Sequence, residues 1–131
     1  MYYSLYTREK EKYNFMKGGT ETEVKYTYTG TGVIPCEKMK TITTITISNT
    51  ITKIHDRAFY GCINLTEIIG LENVTEIGIC AFEICTSLEK IILPNCKKIG
   101  NAAFRYCTNL KTINFIFLSI NFFFTGSTPF N

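Results

Sequence analysis

The chain is poor in the residues that metal and acid–base sites recruit in groups. It has a single histidine, His55, among 131 residues. A zinc site drawing on several imidazoles is therefore excluded, and a thiol enzyme would have to use this one ring as its base. The six cysteines form no C-x-x-C pair and no cluster with histidine, so the spacing of a structural zinc site is missing. A P-loop, a G-x-G-x-x-G fingerprint and a calcium loop are all absent. The "GTG" at Gly30 to Gly32 stands where a turn is expected. No cofactor and no metal are expected, and catalysis is not.

Long apolar runs are missing too. The longest, "INFIFLSINFFF" from Ile113 to Phe124, is interrupted by Asn and Ser and falls short of the roughly 20 residues a spanning helix needs. Met1 to Met16 carries charges where a secretory signal keeps an apolar core. Free thiols and a cytoplasmic location are the default expectations from that. Asn64 and Asn73 head N-x-T sequons, read here as accidents of an Asn- and Thr-rich chain. Net charge is only +3, and the basic stretch "REKEKYNFMK" mixes signs, so neither nucleic acid nor an acidic membrane surface is an expected partner. With 45% apolar and 19% charged residues, the composition is that of one folded domain with a modest core.

What the chain does have is a repeat. "AFYGCINL", "AFEICTSL" and "AFRYCTNL" begin at Ala58, Ala81 and Ala103, intervals of 23 and 22 residues. Upstream of them the apolar positions also correspond: Ile42, Ile45, Ile47, Ile51 and Ile54; then Leu65, Ile68, Leu71, Val74 and Ile77; then Leu88, Ile91, Leu93, Cys96 and Ile99. Gly70 is the extra residue of the longer unit. A fourth unit opens as "LKTINF" and then loses the pattern. The first part of each unit alternates apolar and exposed positions and is rich in Thr and Ile, which predicts a strand. The Ala-Phe part spaces its apolar residues at 0, +1, +4 and +7, which predicts a short helix of about two turns. Units this small bury a core only when stacked in parallel.

The pattern L-x-x-I-x-L-P-x-x-(V/C)-x-x-I-G-x-x-A-F-x-x-C-x-x-L, nearest to complete in "LEKIILPNCKKIGNAAFRYCTNL", resembles the BspA-like class of leucine-rich repeats. "YTYTGTGVIP" (Tyr26 to Pro35) is similar to the strand and turn that precede the first repeat in this class. The fold class expected is α/β: a leucine-rich repeat solenoid of about three to four turns, with a parallel β-sheet and short helices. The divisions expected are an N-terminal arm over 1–25, a cap strand and turn over 26–41, repeats over 42–115, and an aromatic tail or cap over 116–131. The resemblance implies a non-catalytic protein-interaction module acting in adhesion or surface recognition, and hence a cell-surface location. An intracellular scaffold or self-assembling unit is the alternative. A thiol enzyme using Cys36 or Cys62 with His55 is a remote one.

Residue by residue, packing outweighs chemistry. Ala58, Phe59, Cys62 and Leu65, with Ala81, Phe82, Cys85 and Leu88, and Ala103, Phe104, Cys107 and Leu110, read as a core ladder, because a free Cys between buried Phe and Leu behaves as a small hydrophobe. Cys96 joins that core, while Cys80 and Cys36 stand off the ladder. His55 occupies the position of Gly78 and Gly100, a turn position that glycine fills for backbone freedom. Glu67, Glu72, Glu76, Glu83 and Glu89 read as a solvated face. A partner is expected on the outward strand row: Thr44, Thr46, Glu67, Ile69, Lys90, Ile92, Thr112 and Asn114. The ligand is a protein of unspecified identity. The phenylalanines of the tail (Phe115, Phe117, Phe122, Phe123 and Phe124) could cap the open end, pair with another copy, or remain without a fold.

Overall fold

A computed structural model describes residues 23–30, 34, 36–114 and 123–124. The chain winds as a parallel solenoid with three walls. The first wall is a row of short strands: β1 (Lys25–Tyr28), β2 (Thr44–Ile47), β4 (Glu67–Ile69), β6 (Lys90–Ile92) and β8 (Thr112–Asn114). The second is β3 (Lys53–Ile54), β5 (Glu76–Ile77), β7 (Lys98–Ile99) and β9 (Phe123–Phe124). Every pairing is parallel. In the first row Ile45 pairs with Ile68, and Ile91 with Ile113; in the second Ile54 pairs with Ile77, and Ile77 with Ile99. Equivalent residues of successive repeats thus sit one above another, as the repeat spacing predicts. β1 overlaps the expected lead-in stretch, beginning one residue before it at Lys25, and supplies the rung below β2.

The third wall corrects the expected helices. The Ala-Phe segments form a run of turns. The only helix among the described residues is the four-residue α1 (Cys36–Met39), which precedes the repeats. An α-helix keeps its N–H groups for its own carbonyls. Here they alternate in direction. Ala58, Tyr60 and Cys62 donate back three residues within the coil, whereas Arg57, Phe59 and Gly61 donate to the carbonyls of Ile79, Ala81 and Glu83 in the next coil. Cys80, Phe82 and Ile84 repeat this toward Asn101, Ala103 and Arg105. The first and fifth residues of each segment take left-handed φ: Arg57 and Gly61, Cys80 and Ile84, Ala102 and Tyr106. This sends alternate amides out of the coil. The 0, +1, +4, +7 spacing is met equally by such turns, so periodicity could not separate them from a helix.

The core lies between the walls. Phe59, Phe82 and Phe104 stack with ring centroids 5.1 and 5.4 Å apart. Tyr28 extends the stack one coil earlier, edge-on to Phe59 at 5.0 Å. Burying each ring contributes roughly 2–3 kcal/mol, and aromatic pairing about 0.5–1.5 kcal/mol more. Of the predicted core ladder, every member is buried except Cys107 and Leu110, which are partly exposed at the last complete coil. The glycines aligned with His55 serve close approach. Neither Gly78 nor Gly100 has positive φ, but a Cβ on Gly78 would stand 2.5 Å from the Asp56 amide nitrogen. His55 lies one coil lower, where its N–H meets the Tyr28 hydroxyl at 3.4 Å instead.

One wall carries a seam. Thr43 and Thr44 donate to Val24 O, Thr66 and Glu67 to Thr43 O, and Lys111 and Thr112 to Glu89 O. The corresponding pair, Glu89 and Lys90, makes no such bond among the described residues, and the first row divides into β1-β2-β4 and β6-β8. The second row runs unbroken from β3 to β9. The fourth coil reaches that row by a longer path: β8 and β9 begin 11 residues apart, at 112 and 123, against 8 for β6 and β7, at 90 and 98. Phe123 and Phe124 of the expected tail therefore pair with Lys98 and Ile99 as a further rung. Phe115, Phe117 and Phe122 lie outside the described residues.

Candidate functional site: the outward strand face

Because strand side chains alternate, the isoleucines that pair inside the first row leave their neighbours outside. Glu67, Ile69, Lys90, Ile92, Thr112 and Asn114 are exposed there, and Thr46 is half-buried. Thr44 departs from the expected row. It is buried, and its hydroxyl donates to the Glu23 carboxylate at 3.4 Å. Ile69 and Ile92 are 47% and 41% exposed and stand on adjacent rungs. Their flanks are charged or polar, which gives a small apolar patch with a polar rim.

On the other walls several charged groups pair with one another. In the second row Glu76 bridges Lys53 at 3.1 Å and Lys98 at 3.3 Å. Lys53 foremost, and Lys98 with it, hold the Glu76 carboxyl below the usual carboxylate range against the opposing effect of burial. On the third wall the buried Glu83 accepts from Arg105 Nε at 2.6 Å and is also paired with Nη2. The guanidinium in turn lies over the Tyr106 ring. The scattered, solvated carboxylates expected from sequence are here corrected at two places. Their signal was present: 53, 76 and 98, like 83 and 105, are separated by the repeat period. Asn73 and Asn95 donate from Nδ2 to the main-chain carbonyls of Asn49 and Glu72, and Asn64 does so to Lys40. The sequon nitrogens of Asn64 and Asn73 thus hold coils together.

The cysteines are arranged for packing. The Cys85 thiol donates to Phe59 O at 3.2 Å and the Cys107 thiol to Phe82 O at 3.0 Å, each reaching back to the preceding coil. Burial pushes Cys62 up to about 12 and Cys96 up to about 11. It raises Cys85 well above its ordinary value, and Cys80 as well. Cys107 moves down, because the Cys85 thiol stabilises its thiolate. A catalytic thiol needs the opposite of the Cys62 environment. His55 is exposed at the end of β3, and the Cys36 side chain lies outside the described residues. Among the described residues, three or more potential metal ligands nowhere gather, and no helix is long and apolar enough to cross a membrane.

A family profile described as "BspA type Leucine rich repeat region (6 copies)" matches residues 36–125. The chain belongs to the BspA-type leucine-rich repeat family. No curated protein matches it. Among solved structures it is similar to a leucine-rich repeat protein from Bacteroides ovatus ATCC 8483, at 41% identity and a TM-score of 0.54 over 57% of this chain. The match covers 19% of that protein, so the chain spans about a fifth of its length. A leucine-rich repeat region of this family is generally a binding scaffold, consistent with a site built on the outer surface of stacked coils.

Proposed function

We propose that this BspA-type repeat region is a non-catalytic protein-recognition module that binds through its outward strand face, in surface recognition or adhesion. The observation that carries the reading is the Ile69–Ile92 pair, two large apolar side chains left exposed on neighbouring rungs within a polar rim. Such a patch offers a protein partner apolar contact at the centre and hydrogen bonds around it. The open, shallow shape of a short-strand row suits a macromolecule better than a small ligand, which binds in concave cavities. The family supports a binding role without naming a ligand.

The test is the paired substitution Ile69→Glu and Ile92→Glu. Both side chains point away from the core, so the thermal midpoint is expected to stay within a few degrees of the parent. Binding to a cell-surface or matrix protein that the parent captures is expected to fall at least tenfold. Undiminished binding would move the site to another wall.

A further inference from the structure

The same face carries a charge pattern that identifies one partner it fits, namely a second copy of this chain. Glu67 and Lys90 occupy equivalent positions on β4 and β6, two residues before Ile69 and Ile92. Both are exposed, and neither is ion-paired to another side chain among the described residues. This contrasts with the second row, where Glu76 is shared by two lysines. On the first wall, then, two unpaired charges of opposite sign stand beside two exposed isoleucines at matching positions of adjacent rungs.

Consider two such faces brought together by a two-fold axis parallel to the strands and lying between β4 and β6. The rotation keeps strand direction and reverses stacking order. Glu67 then faces the second copy's Lys90, and Lys90 its Glu67. Ile69 faces the second copy's Ile92, and Thr46 its Asn114. Every central contact is complementary. Moving the axis onto β4 sets Glu67 against Glu67, and onto β6 sets Lys90 against Lys90, both repulsive. An axis perpendicular to the strands sets each charge against an isoleucine, which costs desolvation with no ionic return. Of these arrangements, only the first pairs both charges with opposite charges and both isoleucines with each other.

We infer that two copies of this chain associate face to face across β4 and β6, with reciprocal Glu67–Lys90 ion pairs around an Ile69–Ile92 centre. The inference rests on the outward face being a recognition surface, and it names the partner. Two rungs of three-residue strands cover much less than the roughly 1,200 Å² of a standard interface. The pair is accordingly weak, and seen at high protein concentration.

The experiment is sedimentation equilibrium of the full chain up to millimolar concentration, with parent, Glu67→Lys, Lys90→Glu and the double exchange. The parent is expected to rise toward twice its monomer mass. Each single variant is expected to stay monomeric, since it opposes like charges across the axis. A mixture of the two single variants should associate again, because one copy then presents two lysines and the other two glutamates, and both pairs across the axis are attractive. The double exchange should likewise restore self-association. A monomeric parent overturns the inference. So does an associating parent whose single variants associate equally, which would place the contact elsewhere, for instance at the open coil end. Either failure leaves the broader reading to its own test, the loss of heterologous binding in the Ile69→Glu, Ile92→Glu chain.

Discussion

At the scale of single residues, the cysteines decide whether this protein has chemistry. The Cys85 and Cys107 thiols point back to Phe carbonyls of the coil before, and burial holds Cys62 and Cys85 in the neutral form. Maleimide labelling of native protein at pH 8 should therefore leave Cys62 and Cys85 unmodified until denaturant is added. Cys107 should react first among the ladder thiols, being partly exposed and lowered by its neighbour. Mass spectrometry of the labelled peptides gives the order directly, and fast labelling of Cys62 would contradict a packing role. The ladder was legible from sequence because the same residue recurred at the same phase, flanked by buried types. The burial of Thr44 was not. It goes with Glu23 reaching its hydroxyl, a long-range contact that no local pattern reports.

Elements were legible to the extent that their signal was two-fold periodic. The Thr-Ile strands, their parallel stacking and their inward isoleucines follow from alternation. The turn wall does not, because its defining feature is left-handed backbone at residues as different as Arg57, Cys80, Ile84 and Tyr106. Only Gly61 hints at it. A β-branched or aromatic residue accepts that conformation at a cost of roughly 1–2 kcal/mol, offset here by amide bonds to the next coil. The charge ladder of the second row also belongs at this scale. The Glu76 carboxyl is lowered in the folded protein, so its unfolded form binds protons first as pH falls. Its stabilisation is present above the ordinary Glu range, about 4.3, and is lost as pH drops toward the folded value. Thermal melts from pH 7 to pH 3 should show a drop over that acid range that is smaller in Glu76→Gln. The difference should shrink in high salt, which screens the partly exposed lysines.

For the whole molecule, stability is distributed between coil interfaces, and these are unequal. The first row is interrupted between β4 and β6, while the second row and the turn wall carry the stack past that point. Hydrogen exchange followed by NMR should find the Glu89 and Lys90 amides faster than their counterparts Thr66, Glu67, Lys111 and Thr112. Equal protection would show the seam to be closed in solution. The face proposed to meet a partner is thus divided by the least bonded interface of its own wall. This relation was not readable from sequence, since "LTEIIG" and "LEKIIL" look alike.

The alternating amides of the turn wall have a consequence for how such a chain can change in length. A helix can gain or lose a residue and mend its bonds locally. A coil whose amides go to its neighbours at two or three walls has no such freedom, because an insertion within it shifts register against both adjoining coils. Loops between walls absorb one residue, as Gly70 does with a left-handed φ of 88°, and larger edits are accommodated as complete circuits. Growth and shrinkage therefore come in blocks of one period, so that genetic duplication and deletion at that unit preserve every rung while finer changes fall on the corners.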